Sequence, residues 1–291
     1  MAKSAGWSIH GVDFTSRPRF RKPITVATGR VDRTAFRVDA IEYLPGWDDF
    51  ESWLRRPGPW IAGFDFPFGL PREAVADLGL PEQWPLLVTC CRDQGREEFR
   101  AVLDRYRESR PAGKRYAHRA TDHPAGSHSP LKLVNPPVGL MFLEGAPRLL
   151  DAGVTIPGLH AGDPQRVALE AYPGFSARQM VKASYKNDAP AKQTPARRRA
   201  RKAMVRILTA NGNLFGFALT GSAQLLHSLV SDATGDRLDA VLCAMQAAWA
   251  YQRRAENYGL PVNTDPLEGW IAMVPEKKEG KKLASESHQI K

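Results

Sequence analysis

Apolar and polar residues change period several times along this chain, and each change marks an expected element. From residue 6 to 44 the pattern alternates in three short runs, 7–15, 24–31 and 35–44, the last spacing Phe36, Val38 and Ala40 by two. Alternation of this kind is the pattern of half-buried strands. A basic loop (Arg17, Arg19, Arg21, Lys22) separates the first two runs and the pair Asp32-Arg33 separates the next two, so an antiparallel meander is predicted. Residues 47–55 then take helical spacing through Phe50, Trp53 and Leu54, and stop at Pro57-Gly58-Pro59. The short apolar run 60–66 reads as a buried strand, closed by Pro67 and Pro71.

Further along, helical spacing covers 72–79, 84–107 and 138–152. Between 108 and 135 no period is visible, and a loop of that length in a folded domain is functional or mobile. Residues 166–172 form another apolar run, followed by helices near 175–181, 195–209 and 222–230 and a long one over 236–257; residues 270–274 read as a last short strand. Three strands, a helix, a strand, helices, a strand and more helices make an α/β pattern. The expected architecture is one domain over residues 1–275. Its mixed five-stranded sheet has three antiparallel strands followed by parallel ones, flanked by helices, with a helical and loop insertion at about 80–160.

Three of the expected strands carry one acid each inside an apolar run. Asp13 lies in Ile9-His10-Gly11-Val12-Asp13-Phe14, Asp65 in Ile61-Ala62-Gly63-Phe64-Asp65-Phe66-Pro67, and Glu170 in Val167-Ala168-Leu169-Glu170-Ala171-Tyr172. An unpaired carboxylate beside a core costs roughly several kcal/mol unless paired, protonated or bound to metal. One such acid reads as a partner of a buried Arg or as a helix cap. Three at like positions point to a shared site. Asp236 and Asp239 add to the set: three apart, they share a face of the first turn of the long helix. Complementing the helix dipole accounts for Asp236 better than for Asp239, which is set among Leu238, Ala240 and Val241. Asp232 reads as a turn residue. Carboxylates without His or Cys suit Mg²⁺ or Mn²⁺. The expected catalytic set is Asp13, Asp65, Asp239, Glu170 and Asp236. Asp13 bridges two ions, Asp65 and Asp239 each hold one, and Glu170 or Asp236 assists, as in two-metal phosphodiester hydrolysis.

Charge adds a possible partner. Lys and Arg total 41 against 31 acids, a formal balance of +10. Residues 276–291 are Lys-, Glu- and Ser-rich without a period and read as a disordered tail or an appended remnant. A basic chain suits either a polyanion partner or plain solubility. Residues 195–202, Pro-Ala-Arg-Arg-Arg-Ala-Arg-Lys, open a helix with a dense basic face. The expected nucleic-acid contacts are Arg17, Lys132, Lys182, Lys186, Arg197, Arg198 and Arg201. His118, Asp122, His123 and His128 match no zinc spacing. Their loop is either mobile and basic, or closes over a phosphate-bearing substrate with Lys114, Arg115, Arg119 and Lys132. The three cysteines, Cys90, Cys91 and Cys243, make no CxxC pair and read as reduced core residues of a cytoplasmic protein. No apolar run reaches 18 residues and no signal-peptide pattern opens the chain, so no membrane contact is expected.

Five segments in order resemble the family known as domain of unknown function 429, predicted ribonuclease H-like nucleases: Gly11-Val12-Asp13, Gly63-Phe64-Asp65-Phe66-Pro67-Phe68-Gly69-Leu70, Leu169-Glu170-Ala171-Tyr172-Pro173, Asp236-Arg237-Leu238-Asp239-Ala240-Val241 and Glu268-Gly269-Trp270-Ile271. The resemblance runs to about residue 275. It implies a ribonuclease H-like sheet, whose first strand is central, and a carboxylate metal site. The Asp236–Asp239 pair is similar to the last acidic motif of Holliday-junction resolvases, and Glu170 stands outside the usual resolvase set. Two other readings stay open. One is a non-catalytic nucleic-acid-binding protein with a degenerate site. The other is an actin-like phosphotransferase, since Asp13-Phe14-Thr15-Ser16 resembles the first phosphate loop of actin-like sugar kinases. For the latter, Asp232-Ala233-Thr234-Gly235-Asp236 is a poor second loop, and with no P-loop or GxGxxG motif no nucleotide cofactor is expected.

Overall fold

Seven strands join in one mixed sheet in the computed structural model, which describes residues 6–276. The expected tail lies outside the described residues except for Glu276. The strands are β1 (Ser8–Asp13), β2 (Ile24–Val31), β3 (Ala35–Leu44), β4 (Trp60–Phe64), β5 (Val154–Thr155), β6 (Asp163–Glu170) and β7 (Ala218–Thr220). Their order is β5-β6-β4-β1-β2-β3-β7, so the first strand is central. The meander β1-β2-β3 is antiparallel as expected, and β4 and β6 extend the sheet parallel to β1. Five strands were expected. The other two, β5 and β7, have two and three residues, too few to show a period. The strand expected at 270–274 is a single bridge from Ile271 to Glu170.

The helices are α1 (Trp47–Leu54), α2 (Arg72–Asp77), α3 (Trp84–Ser109), α4 (Asp122–Ala125), α5 (Val138–Asp151), α6 (Pro173–Met180), α7 (Pro195–Thr209), α8 (Ala223–Ser231) and α9 (Asp236–Gln252). Gly95, at φ 73°, kinks α3. The long last helix stops at Gln252 rather than 257, because the next segment turns through Asn257 and Tyr258, both at positive φ. The expected insertion supplies α3 to α5; α3 and α5 pack through Leu87, Phe99 and Phe142 into the cluster that covers one sheet face, while Ala125 of α4 packs with Ile271 and Val274. No helix among the described residues is long and apolar enough to cross a membrane.

Strand parity divides the core in two. His10, Val12, Phe64 and Ala168 face α1, α3 and α5, while Ile9, Ile61, Val167 and Leu169 face α9. Helix α9 is apolar nearly all round, which suits a helix sunk in the core. Its one buried amide, Gln246, accepts from Tyr172 N (2.8 Å) and donates to Tyr172 O and Ser176 Oγ, fixing the corner after β6. Two glycines let α9 lie directly on the sheet. A Cβ on Gly11 would stand 2.0 Å from Ala244 N, and one on Gly63 2.5 Å from Cys243 O. Gly11 and Gly63 are register partners on β1 and β4, so one close approach spans both strands and brings the start of α9 beside their C-terminal ends.

Candidate active site

The same parity decides which acids meet. Asp13 follows Gly11 by two residues and Asp65 follows Gly63 by two, so both carboxylates emerge on the α9 face at the carboxyl edge of the parallel strands. Asp65 N donates to Val12 O at 2.9 Å, locking the level of the two ends. Gly235, at φ 83°, caps α9 in the left-handed region that suits glycine. The helix then delivers Asp236 and Asp239 above that edge. Asp13 and Asp236 line a cleft of about 890 Å³ together with Asp65, Lys22, Lys182 and Lys186. Asp239 lies fully buried beneath, where Tyr185 Oη donates to it at 2.5 Å and the Lys186 ammonium pairs with it. Lys22 pairs with Asp236 at 2.8 Å and with Asp188 at 3.2 Å.

Charge within this cluster is poorly matched. Neither Asp13 nor Asp65 makes a side-chain hydrogen bond among the described residues. Burial, then repulsion by Asp236, Asp239 and Asp65, pushes Asp13 well above the ordinary carboxylate range, against the pull of Lys186. Burial carries Asp65 up to about 7, with Asp239 and Glu170 adding repulsion and Lys186 opposing it. Burial works against the charge on Lys186, but Asp239 and its neighbours outweigh it and the amine holds its proton firmly. Among the described residues no three His, Cys, Asp or Glu side chains stand close enough as arranged to enclose an ion. The donor chemistry nevertheless fits a hard cation: four carboxylates on one face, two of them without partners, with the buried Cys243 thiol, one helical turn beyond Asp239, held protonated by burial and by the neighbouring acids.

Glu170 is held differently from Asp13 and Asp65. In register it pairs with Phe64, not with Asp65, so it leaves the sheet on the opposite face from Asp13 and Asp65. There Arg119, only 2% exposed, grips both its oxygens at 2.7 Å, and Phe68 N donates to it at 2.9 Å. The same guanidinium bonds Asp122 Oδ1 at 2.9 Å, and Arg119 N reaches Asp122 Oδ2 at 2.8 Å. Glu268 accepts from Arg72 N and Ala120 N, both at 2.8 Å. These bonds pin the 108–135 segment to the sheet, with Arg119 as a buried strut at the wall of the cleft. Glu170 serves as its counter-charge, with both carboxylate oxygens engaged at the wall of the cleft. This network also accounts for the Gly63–Leu70, Leu169–Pro173 and Glu268–Ile271 segments noted in the sequence.

The expected nucleic-acid contacts divide as well. Lys182 and Lys186 line the cleft. Arg198 is exposed on α7 and Arg17 on the loop after β1. Arg201 is buried, donating to Tyr185 O (2.6 Å) and Val230 O (2.9 Å), so it supports the Tyr185–Lys186 segment and faces no solvent. Arg197 is half-exposed and donates to Ser184 Oγ, on the cleft lining, and to Lys192 O. Lys132 lies partly buried, 3.1 Å from Nε2 of His128, which itself lines the cleft. Lys22 and Tyr185 were missed as site residues. The Lys22 signal, a cation in the loop directly after Asp13, is visible in the sequence. Tyr185 has no such signal, because it meets Asp239 only through the fold.

A family model described as Protein of unknown function (DUF429) matches residues 11–263. No curated protein and no solved structure matches the chain.

Proposed function

Because the chain belongs to the DUF429 family, whose description states no activity, its chemistry has to be argued from the site, and we propose that it is a metal-dependent phosphodiesterase acting on nucleic acid. One observation carries this reading: Asp13 and Asp65 stand side by side without hydrogen-bond partners, flanked by Asp236 and Asp239, in a cleft whose other charged lining includes Lys22, Lys182 and Lys186. Four acids here are paired with only two of the three lysines, Lys22 and Lys186, so negative charge is in excess among them while further positive charge stands at the rim, the arrangement wanted by a cation bound to a phosphate. The central first strand and the sheet order support a ribonuclease H-like fold for this site.

Asp13, Asp65 and Asp239 would hold Mg²⁺ or Mn²⁺, which supplies Lewis-acid stabilisation of the charge building on the phosphoryl oxygens. The chain's own residues orient the substrate. Lys186 is 40% exposed, and once Asp239 holds a cation its ammonium is free for a phosphate oxygen. Lys182 offers a second, and Asp236 keeps Lys22 at the rim. Among the described lining residues Gly174 is the one glycine, which weighs against a glycine-cradled nucleotide and a phosphotransferase. The ion pairs on Asp236 and Asp239 favour the second reading, a non-catalytic nucleic-acid-binding protein.

The two are separated by a Mg²⁺/Mn²⁺-dependent cleavage assay on single-stranded, duplex and branched substrates, with melting curves alongside. Wild type is expected to cleave at least one substrate and to gain melting temperature with Mg²⁺. Asp13→Asn is expected to lose at least about 100-fold in rate and most of the Mg²⁺ shift. Equal cleavage by both proteins would remove the mechanism. A Mg²⁺-independent melting temperature without cleavage would favour the non-catalytic reading.

A further inference from the structure

Beside the main cleft lies a second depression, of about 420 Å³, that shares Asp236 with it. Its rim carries Phe20, 91% exposed, and Tyr43, 45% exposed. Two water-facing rings at the mouth of one depression offer apolar faces that a flat ligand can cover.

The local structure holds Phe20 out rather than leaving it loose. Arg19 N donates to Lys22 O at 3.1 Å and Lys22 N to Arg19 O at 2.9 Å, closing a two-residue turn with Phe20 and Arg21 at its tip. Lys22 anchors the turn to Asp236. Arg17, Arg19 and Arg21 are exposed around it, and none of the three makes a salt bridge among the described residues.

Sheet register connects this depression to the carboxylates. Asp13 pairs with Thr25 across β1 and β2, and Thr25 with Tyr43 across β2 and β3. The three side chains therefore share the α9 face as a row. Tyr43 stands two strand spacings from Asp13, about 10 Å. Between them Thr25 Oγ1 is buried without a hydrogen-bond partner, while Arg237 Nε bonds Tyr43 Oη from above. The row thus runs from the acids to an aromatic platform ringed by arginines.

We propose that Phe20 and Tyr43 form a stacking platform for an unpaired base of a single-stranded nucleic acid, with Arg17, Arg19 and Arg21 holding its backbone and leading the strand to the acidic cleft. The assignment rests on the nucleic-acid reading above and narrows it to unpaired strands. A base offers a flat π face to the two rings, and the phosphates offer negative charge to the arginines. A duplex keeps its bases stacked inside and cannot use the rings.

The test is fluorescence anisotropy with a labelled 12-nucleotide oligothymidylate and a labelled mixed-sequence duplex, in chelator so that binding is read apart from turnover. Phe20→Ala is expected to weaken oligothymidylate binding about 10-fold and to leave duplex binding within about 2-fold. Phe20→Trp is expected to restore it, and Val262→Ala, at another exposed apolar side chain, to change nothing. Phe20 is nearly free of packing, so its loss leaves folding intact. Unchanged oligothymidylate binding by Phe20→Ala would overturn the platform while leaving the nucleic-acid reading in place, as would equal weakening on both probes. Phe20-dependent sedimentation with vesicles of 70% phosphatidylcholine and 30% phosphatidylserine, without Phe20-dependent oligonucleotide binding, would assign the turn to membranes and overturn the proposal. If wild type binds neither probe, the nucleic-acid reading itself falls and takes the platform with it.

Discussion

Asp65 and Glu170 look alike in the sequence, each a lone acid near the end of an apolar run, yet they do opposite things. One register position separates them. Asp65 shares a level and a face with Asp13, while Glu170 shares its level with Phe64 and so leaves the sheet on the other face, toward Arg119. The difference has a measurable consequence. Glu170→Gln leaves the buried Arg119 charge short of a partner, which costs about 3–5 kcal/mol. Urea unfolding should show that loss equally with and without Mg²⁺; a loss confined to Mg²⁺ conditions would restore Glu170 as a ligand. Arg201 gives a similar lesson on a helix. In the sequence it belongs to a basic run, and in the fold it is the member turned inward, where it supports the carbonyl of Tyr185.

At the scale of elements, the site depends on how closely α9 lies on β1 and β4. Strand and helix backbones touch at Gly11, where a Cβ would meet Ala240 O at 2.1 Å as well as Ala244 N. Backbone cannot give way as a flexible side chain can. Gly11→Ala should therefore lift α9 and cost at least about 1–3 kcal/mol, the usual range for overpacking. It should also carry Asp236 and Asp239 away from Asp13, so the Mg²⁺-induced melting shift should shrink along with stability. A variant that keeps wild-type stability and the full shift would show that the close approach does not set the site. Elements with a long run of periodic residues were legible: α7 is found at Pro195–Thr209 and β3 at Ala35–Leu44, the bounds the periodicity predicts. The two-residue β5, the three-residue β7 and the four-residue α4 are too short to show a period, and they form because neighbours complete their bonds.

For the whole molecule, stability against pH combines two opposing contributions. His10 is buried between Trp53 and Trp60 and bonded to Thr28 Oγ1 at 2.9 Å. Burial lowers its pKa to about 4 against an opposing pull from Glu42, with the Arg56 charge adding a lesser push downward. The unfolded chain then binds the proton more readily than the folded one, so this contribution is present above the ordinary histidine pKa and is lost as pH falls toward 4. At pH 5 the loss is about 2 kcal/mol relative to pH 8. Asp65, raised to about 7, works the other way and favours the folded chain as pH falls through that value. The difference between wild type and His10→Gln in urea unfolding at pH 5 and 8 isolates the first contribution; parallel profiles would remove it. At this scale the sequence by itself determined the α/β class and the antiparallel meander and marked Asp13, Asp65 and Asp239 as acids out of place, because periodicity and misplaced charge are local signals; the central first strand came from the family resemblance. Only the tertiary structure decided that Glu170 faces Arg119, that Tyr185 and Lys186 meet Asp239, and that Phe20 and Tyr43 flank one depression in line with Asp13. Those facts depend on strand register and on how closely α9 approaches the sheet, which no single segment encodes.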